Sequence, residues 1–467
     1  MRRSARLGAA AVFIGFVLML GLSRVPFLSN TLLGEEGMFA ALVLSPTPPS
    51  AEVPNGLPQQ LIAQIDGRRF YGVFEHPIVP YLVMERGIGV LGRAAHALEG
   101  DFTYRNQVAR GCFFALFAVG VLGLLWLAAI ALVDTRASAP TFVIPAFVLY
   151  VLTTPLLLGA SIQPQVDGSV GVMLMGLAAF AMAAGQGRAL DKPAFWLAGI
   201  LIGLGRIEWV IAFAVAALAV VIAQVALAER AQRLQPLLFL AGLAVGSALS
   251  YLASPADYLD GINVMSRISA TSNGSFEAAR QQRPLLTPAL LTAAAALAFS
   301  AVRPRAVLGR ASGTLILMLG GLGVILGFAA SNWSGDGFPR YYAPALVALA
   351  VAVIDLAGRA SWTSPGRIAA VLLILAGLWP NLQFARDRLA RDVSITSLPG
   401  TSLAAMRAQM ATSAAWASAE HAIPLENSSI WLYYPSISFV SKDLGLAGAK
   451  ELLAENNPAD LARLRVP

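Results

Sequence analysis

Apolar runs of about 18 or more residues recur from one end of the chain to the other, and each is long enough to cross a bilayer as an α-helix. Only 13% of the 467 residues are charged, and the mean hydropathy is +0.68. Both values lie outside the range of soluble globular proteins. The predicted fold class is therefore an all-α polytopic membrane protein.

The apolar runs predict about eleven transmembrane helices, with the N-terminus in the cytoplasm. The first run is Leu7–Phe27, and the others are 108–133, 141–159, 169–186, 194–205, 208–227, 235–253, 285–302, 312–331, 339–357 and 367–382. Alternate threading places these loops inside: 1–6, 134–140, 187–193, 228–234, 303–311 and 358–366. Reading 194–227 as one long helix would break this alternation, so the sequence predicts a split at Arg206.

Basic residues in the predicted inside loops support this threading. Those loops hold Arg2, Arg3, Arg6, Arg136, Arg188, Lys192, Arg230, Arg233, Arg303, Arg305, Arg310 and Arg359. Their acids are Asp134, Asp191 and Glu229. The positive-inside rule is satisfied at every turn, and the net charge of +7 therefore indicates orientation rather than binding to nucleic acid. The single cysteine, Cys112, excludes an intrachain disulfide and a site with several cysteine ligands.

The segments predicted to lie outside are 28–107, 160–168, 254–284, 332–338 and the tail 383–467. Within the first of them, Leu57–Ile65 and Ile78–Leu98 are interpreted as short helices lying in the membrane interface. The tail is less apolar and is predicted to form a small periplasmic or extracellular domain. The domain boundary therefore falls between a transmembrane domain, 1–382, and the domain 383–467.

Two adjacent carboxylates, Glu35 and Glu36, follow the first apolar run closely. Acidic groups near the hydrocarbon are costly to desolvate and often mark a functional site. The alternative is an ordinary interfacial loop with two solvated acids. His76 lies farther along the same segment, before a proline, where it could instead start a helix. Asp167 precedes a middle helix, where it could act as an N-cap.

Arg206 and Glu208 flank a predicted tight turn between two apolar runs, where one alternative is that they pair with each other. Arg340 and Tyr341 open a long helix from the outside. An arginine at an interface commonly extends toward lipid head groups. Beside a helix N-terminus, however, it also suits a phosphate, because bidentate hydrogen bonds and the helix dipole act together.

In these motifs the chain resembles the GT-C glycosyltransferases, in particular the branch of protein O-mannosyltransferases and lipid A aminoarabinose transferases. The family's Asp-Glu pair after the first helix is similar to Gly34-Glu35-Glu36-Gly37-Met38-Phe39-Ala40. Its Pro-Pro-Leu element is loosely similar to His76-Pro77-Ile78-Val79-Pro80-Tyr81, and its second acidic position to Asp167. Its Arg-Tyr-x-x-Pro helix start is similar to Arg340-Tyr341-Tyr342-Ala343-Pro344. The chain departs from the pattern in having Glu35 where the family has Asp and Ile78 where it has the second proline.

The resemblance implies a GT-C-like bundle that transfers a sugar from a polyprenyl-phosphate donor to a hydroxyl at the outer face of the cytoplasmic membrane. Glu35 would be the base, with Glu36 as the alternative and Asp167 as a further catalytic acid. Arg340, Arg206, Glu208, Tyr341 and His76 would bind substrate. One carboxylate acting through a bound hydroxyl implies inversion.

Two other functions fit a chain with many spans. A transporter or flippase for lipid-linked glycan predicts polar groups throughout the membrane depth and repeated halves, whereas here they concentrate at one face. A structural scaffold leaves the acidic pair unexplained. The acids suffice in number for a divalent cation, but their spacing matches no metal motif, so the prediction is that no metal is obligatory. The expected partners are the lipid donor, a hydroxyl-bearing acceptor and the bilayer, with no nucleic acid.

Overall fold

A computed structural model describes most of the membrane helices of the chain, one pair of strands and a few isolated residues. The ten longer stretches are 3–28, 59–65, 68–73, 102–133, 143–162, 166–185, 191–226, 234–253, 312–330 and 341–359, with 87, 90–91, 378–379, 381–383 and 386 in addition. The helices are α1 (Arg3–Arg24), α2 (Phe102–Val133), α3 (Val143–Thr153), α4 (Pro155–Ile162), α5 (Val166–Gly185), α6 (Asp191–Gly203), α7 (Ile207–Ala226), α8 (Leu234–Ala253), α9 (Ser312–Ala330) and α10 (Ala343–Arg359). A short 3-10 helix, Val25–Phe27, follows α1.

Five of these helices are long and apolar enough to cross a membrane: α1, α2, α5, α7 and α8. The helices α3, α6, α9 and α10 are apolar but shorter. The multi-pass helical class predicted from the sequence is thereby confirmed. The number of eleven spans stays a prediction, because 285–302 and most of 367–382 lie outside the described residues.

Contacts between helix termini sort the bundle into two ends. At one end, the start of α1 lies against the end of α2, where Gly8 faces Val133. The start of α9 joins the same end, since Ser312 Oγ donates to Gln235 Oε1 of α8 at 2.7 Å. Thr314 Oγ1 donates to Asp355 Oδ2, near the end of α10, at 2.5 Å. All these termini border loops that the positive-inside rule assigns to one side.

The other end, here called the arginine end, is formed by the termini that the threading assigns to the opposite side. Arg24, the last residue of α1, contacts Ser161 near the end of α4. The start of α5 meets the starts of α7 and α10, because Gly171 faces Trp209 and Pro344. The end of α9 meets the residues just before α10, where Phe328 stacks on Tyr341.

The predicted split at Arg206 is present. Helix α6 ends at Gly203 and α7 begins at Ile207. The turn between them is closed by Leu204 N donating to Ile200 O at 2.9 Å and Gly205 N donating to Ile202 O at 3.0 Å. The segment 141–159, predicted as one helix, is instead divided between α3 and α4 at Thr154. Pro155 has no backbone N–H to continue α3, and it suits the first position of a new helix.

Small residues allow the closest helix pairs to pack backbone against backbone. Helices α6 and α8 meet through Gly199 and Gly203 on one and Gly242 and Gly246 on the other. A Cβ on Gly199 would lie 2.7 Å from Leu243 N, and one on Gly246 would lie 2.9 Å from the Gly203 Cα. Van der Waals packing at small-residue interfaces drives helix association where both solvent and side chains are apolar.

Helix α7 shows which way the bundle faces lipid. Its large apolar side chains with high exposure are Ile211, Val215, Leu218, Ile222 and Val225. Its opposite face, with Trp209, Phe213 and Val220, is buried. An exposed apolar stripe of this length on a soluble protein would be an aggregation hazard, whereas in a bilayer it is solvated by acyl chains.

One prediction for the first outside segment is wrong. Residues Gln59–Ile65, predicted as part of an interfacial helix, form strand β1. It pairs antiparallel with β2 (Arg68–Val73), with Ile65 opposite Arg68 and an irregularity between Leu61 and Ala63. The fold is therefore not purely helical. The physical reason lies in the local sequence: Asp66-Gly67 is a favoured two-residue hairpin connection, and Phe70, Tyr71 and Val73 favour strands.

Several predictions fall on other parts of the chain. Within 78–98 the structure describes Gly87, Val90 and Leu91, the last two helical and exposed. Except for Gln383 and Arg386, the predicted domain 383–467 lies outside the described residues. The domain boundary therefore stays a prediction.

Candidate functional site

The turn between α6 and α7 contains Arg206 and lies at the arginine end of the bundle. Trp209 N and Val210 N both donate to Arg206 O, at 3.1 and 3.2 Å, so Arg206 is the residue that caps the start of α7. Its side chain is only 3% exposed. A buried guanidinium in an apolar bundle is costly unless its charge and its N–H groups are satisfied.

Glu208 supplies the opposite charge. Arg206 Nε donates to Glu208 Oε2 at 3.2 Å, and Arg206 Nη2 donates to Glu208 Oε1 at 3.0 Å. The two parallel hydrogen bonds form the bidentate arrangement that arginine makes with carboxylates. Glu208 lies in the first turn of α7, where the helix dipole favours a negative charge. The predicted pairing of these two residues is therefore present, and Glu208 remains 27% exposed.

Aromatic rings complete the surroundings of Arg206. Its Cζ lies 4.8 Å from the centroid of the Tyr341 ring and 5.7 Å from that of Phe328. The two rings stack with centroids 5.2 Å apart and planes inclined by 18°. A cation over a ring face is attracted by the ring quadrupole, and more strongly where water is excluded. Arg206 thus links α7 to the end of α9 and to Tyr341, two residues before the start of α10.

Trp209 connects this cluster to α5. Its indole is 1% exposed, and a Cβ on Gly171 would lie 2.6 Å from its Cη2 and 3.0 Å from Pro344 Cγ. Gly171 therefore has to be glycine for α5, α7 and α10 to approach so closely. Asp167 is the second residue of α5, one helical turn before Gly171. The start of α5 consequently lies beside the Arg206 cluster.

The structure brings together some of the predicted site residues. Arg206, Glu208 and Tyr341 form one cluster, and Gly171 of α5, four residues after Asp167, packs against the neighbouring Trp209. The other predicted site residues, Glu35, Glu36, His76 and Arg340, lie outside the described residues. Arg340 directly precedes Tyr341 in the sequence.

Three residues of this region were not predicted. Phe328 and Trp209 lie within apolar runs. The sequence there does not distinguish an aromatic ring that contacts a cation from one that packs only in the apolar core. Arg24 ends the first apolar run, and its burial could not be inferred from that position. Ser23-Arg24-Val25-Pro26 does carry a signal for where α1 ends, because the residue before a proline is disfavoured in the helical region.

Within the described residues, no group of three or more His, Cys, Asp or Glu side chains is placed to hold a metal ion. The acidic pair and His76 are not among those residues. The absence of an obligatory metal therefore stays a prediction.

Comparisons with known proteins give a likeness to solved structures. No family model matches the chain, and no curated protein matches it. The structure is similar to ArnT from Cupriavidus metallidurans bound to undecaprenyl phosphate, with a TM-score of 0.48 and 17% identity over 98% of this chain and 74% of that one. It is also similar to the same protein in the apo state, with a TM-score of 0.42 and 16% identity over 99% and 74%.

Proposed function

We propose that the chain is a membrane glycosyltransferase that moves a sugar from a polyprenyl-phosphate donor to an acceptor hydroxyl. The reaction takes place, in this proposal, at the outer face of the cytoplasmic membrane, and it inverts the anomeric carbon. The sequence motifs resemble those of GT-C enzymes, and the arrangement of charge in the bundle supports an anionic substrate.

The observation that carries the proposal is the position of the buried charges. Among the described residues, the buried charged side chains are Arg24, Arg110 and Arg206. Arg24 and Arg206 lie at the arginine end. Arg110 lies there too, because it precedes Gly120 by ten residues, or about 15 Å of helix, and Gly120 packs on α5 at Val172. Helices α2 and α5 run in the same direction, since Gly123 faces Phe180 farther along both.

Two of these cations are compensated, Arg206 by Glu208 and Arg24 by the ends of helices, so the buried charges mark the arginine end as the polar end of the bundle, and the substrate anion is proposed to meet Arg340 there. Charges in a low-dielectric interior act over longer distances than charges in water. The buried polar groups at the opposite end, such as Gln235, Ser312 and Thr314, are neutral. A phosphate that leaves during sugar transfer is such an anion, and it needs cationic stabilisation more than it needs a proton.

Arg340 is the main phosphate-binding residue of the proposal, and Arg206 is secondary. Arg206 already carries the Glu208 carboxylate, which offsets much of its charge at longer range. Arg206 contacts the ring of Tyr341, and Tyr341 directly follows Arg340 in the chain. Arg206, Glu208 and Tyr341 would therefore hold the phosphate-binding segment in place, and His76 would contribute from the first outside segment.

The reaction needs a base for the acceptor. The acceptor oxygen forms its bond to the anomeric carbon as the bond from that carbon to the phosphate oxygen breaks. The phosphate oxygen leaves with the electron pair, and the hydroxyl proton passes to Glu35. Asp167, at the start of α5, would orient the acceptor or the sugar. A positioned carboxylate base contributes typically two to four powers of ten in rate.

The test is single-turnover transfer from a synthetic polyprenyl-phosphate sugar to a hydroxyl acceptor, with the purified full chain in detergent. We expect Glu35→Gln to bind donor normally and to lose transfer by about two to four powers of ten. Full activity in Glu35→Gln with none in Glu36→Gln would assign the base to Glu36. Full activity in both would remove the pair from the mechanism, and no transfer by the unmodified chain from any of a panel of donors would overturn the function.

A further inference from the structure

We propose that Arg24 is a positioning residue that fixes the start of α5 and, with it, Asp167. This inference rests on the proposed function, which gives Asp167 a role in transfer. Arg24 lies 143 residues before Asp167 in the chain and belongs to none of the motifs that resemble the GT-C family. Its connection to α5 passes through two short helices, α3 and α4.

The guanidinium of Arg24 is buried and holds three separate acceptors. Nε donates to Ser161 Oγ at 3.1 Å, Nη1 donates to Ser23 Oγ at 2.8 Å, and Nη2 donates to the carbonyl of Leu152. Arg24 is 1% exposed, and Ser161 is fully buried. Hydrogen bonds from a charged donor contribute more than those between neutral groups, above all where water is excluded.

The break between α3 and α4 explains why Leu152 accepts from Arg24. Helix α3 ends at Thr153, so Leu152 is among its last carbonyls, which have no partner within the helix. Thr154 N turns back to Val151 O at 3.3 Å, and α4 resumes with Leu158 N donating to Thr154 O at 2.9 Å. The guanidinium of Arg24 thereby takes the place of a backbone donor at the break.

Three helix C-termini compensate the charge of Arg24. No carboxylate among the described residues forms an ion pair with it. Arg24 is instead the last residue of α1, and its acceptors lie in the final turns of α3 and α4. Each helix C-terminus carries a partial negative charge of roughly half an elementary charge. This environment favours the cation and disfavours an added anion, so Arg24 is suited to hold helices rather than to bind phosphate.

Ser161 passes this constraint to α5. Its Oγ also donates to Leu158 O at 2.8 Å, which fixes the rotamer that receives Arg24. Only residues 163–165 separate α4 from α5. On the far side of that connection, a Cβ on Gly168 would lie 3.3 Å from the Cα of Ala160, the neighbour of Ser161. On the α4 side of the connection Arg24 binds Ser161, and on the α5 side Gly168 packs against Ala160, the residue next to Ser161. Because Asp167 directly precedes Gly168, the position of α4 also sets the position of Asp167 in the backbone.

Two serines on Arg24 provide a matched pair of variants. Ser161→Ala removes the contact with α4, whereas Ser23→Ala removes an equivalent contact within α1. Both retain the arginine and its charge, and each removes a single hydroxyl, that of the buried Ser161 or that of the exposed Ser23. The first readout is hydrogen exchange of the amides of residues 170–173, the first that can be hydrogen-bonded within α5. We expect on the order of tenfold faster exchange in Ser161→Ala and no change in Ser23→Ala. Equal exchange in the two variants would overturn the inference.

The second readout is transfer kinetics. We expect Ser161→Ala to lower kcat by about tenfold with the KM for donor unchanged, and Ser23→Ala to change neither. In an Asp167→Asn background, Ser161→Ala should cause no further loss of kcat, because both changes act on one group. Losses that multiply in the double variant would show a general structural effect and would overturn the inference. If the unmodified chain transfers no sugar, the proposed function fails, while the exchange comparison still decides whether Arg24 fixes the start of α5.

Discussion

Gly176 of α5 packs against the backbone of Gly120 of α2, and a Cβ on Gly176 would lie 2.5 Å from the Gly120 carbonyl carbon. Real Cβ atoms do not approach backbone so closely, so alanine there requires the helices to separate. Interior overpacking costs typically about 1–3 kcal/mol. We expect Gly176→Ala to lower the unfolding temperature in detergent. Gly111→Ala, on α2 with no neighbour within 4 Å, is the control and should leave that temperature unchanged or raise it.

Arg206 and Glu208 should behave as a coupled pair. Glu208→Gln leaves the buried guanidinium with a neutral partner, and Arg206→Met leaves the carboxylate without its cation. The double variant should lose less stability than the sum of the single variants, with a coupling free energy of about 0.5–3 kcal/mol. The measurement is a double-mutant cycle by thermal unfolding in detergent. If the losses of the two single variants simply add up in the double variant, the Arg206–Glu208 interaction itself makes no contribution to stability.

The ring of Tyr341 should matter more than its hydroxyl. Tyr341→Phe keeps a ring face for Arg206 and for stacking on Phe328, whereas Tyr341→Leu keeps apolar volume without the ring. We expect the leucine variant to be less stable than the phenylalanine variant by about 0.5–2 kcal/mol. Chemical or thermal unfolding of the two proteins measures that difference. Equal stability would remove the cation–ring contact as a contributor.

Arg340 should bind the phosphate of the donor. Arg340→Ala should weaken donor binding by on the order of 1.5–3 kcal/mol, because a charge-assisted hydrogen bond is lost. Arg340→Lys should restore binding only in part, since an ammonium cannot make the planar two-point contact. Titration of the purified variants with polyprenyl phosphate measures both. Unchanged affinity in Arg340→Ala, with Glu35→Gln still inactive, would assign the phosphate to Arg206.

The orientation of the chain follows from its arginines. Reporter fusions at Arg188 and Arg305 should give a cytoplasmic signal, and a fusion at Glu420 should give an outside signal. The structure groups the helix termini into two ends as this threading requires, and the fusions test which end faces which compartment. A cytoplasmic signal at Glu420 would exclude an odd number of spans.

Sequence alone predicted most of the helices, because a bilayer-spanning run is long and its apolar signal is strong. It predicted the turn at Arg206, since a charge between two apolar runs can be read directly. It did not predict the break at Thr154, where Pro155 outweighs the apolar pattern, or the strand pair 59–65 and 68–73, whose residues favour strands locally. The ring contacts of Arg206 and the acceptors of Arg24 join residues distant in sequence, so no local pattern contains them.

The short length of α6 has a consequence for how the chain enters the membrane. Its 13 residues extend about 20 Å, less than the hydrocarbon thickness of about 30 Å. During synthesis α6 emerges before α8, the helix on which its glycines pack. We therefore expect α6 to be held weakly by the insertion machinery until α8 arrives. The glycines at this interface would then affect membrane insertion as well as stability. We expect Gly242→Leu to reduce the yield of inserted protein, measured as the amount of full-length chain recovered from membranes.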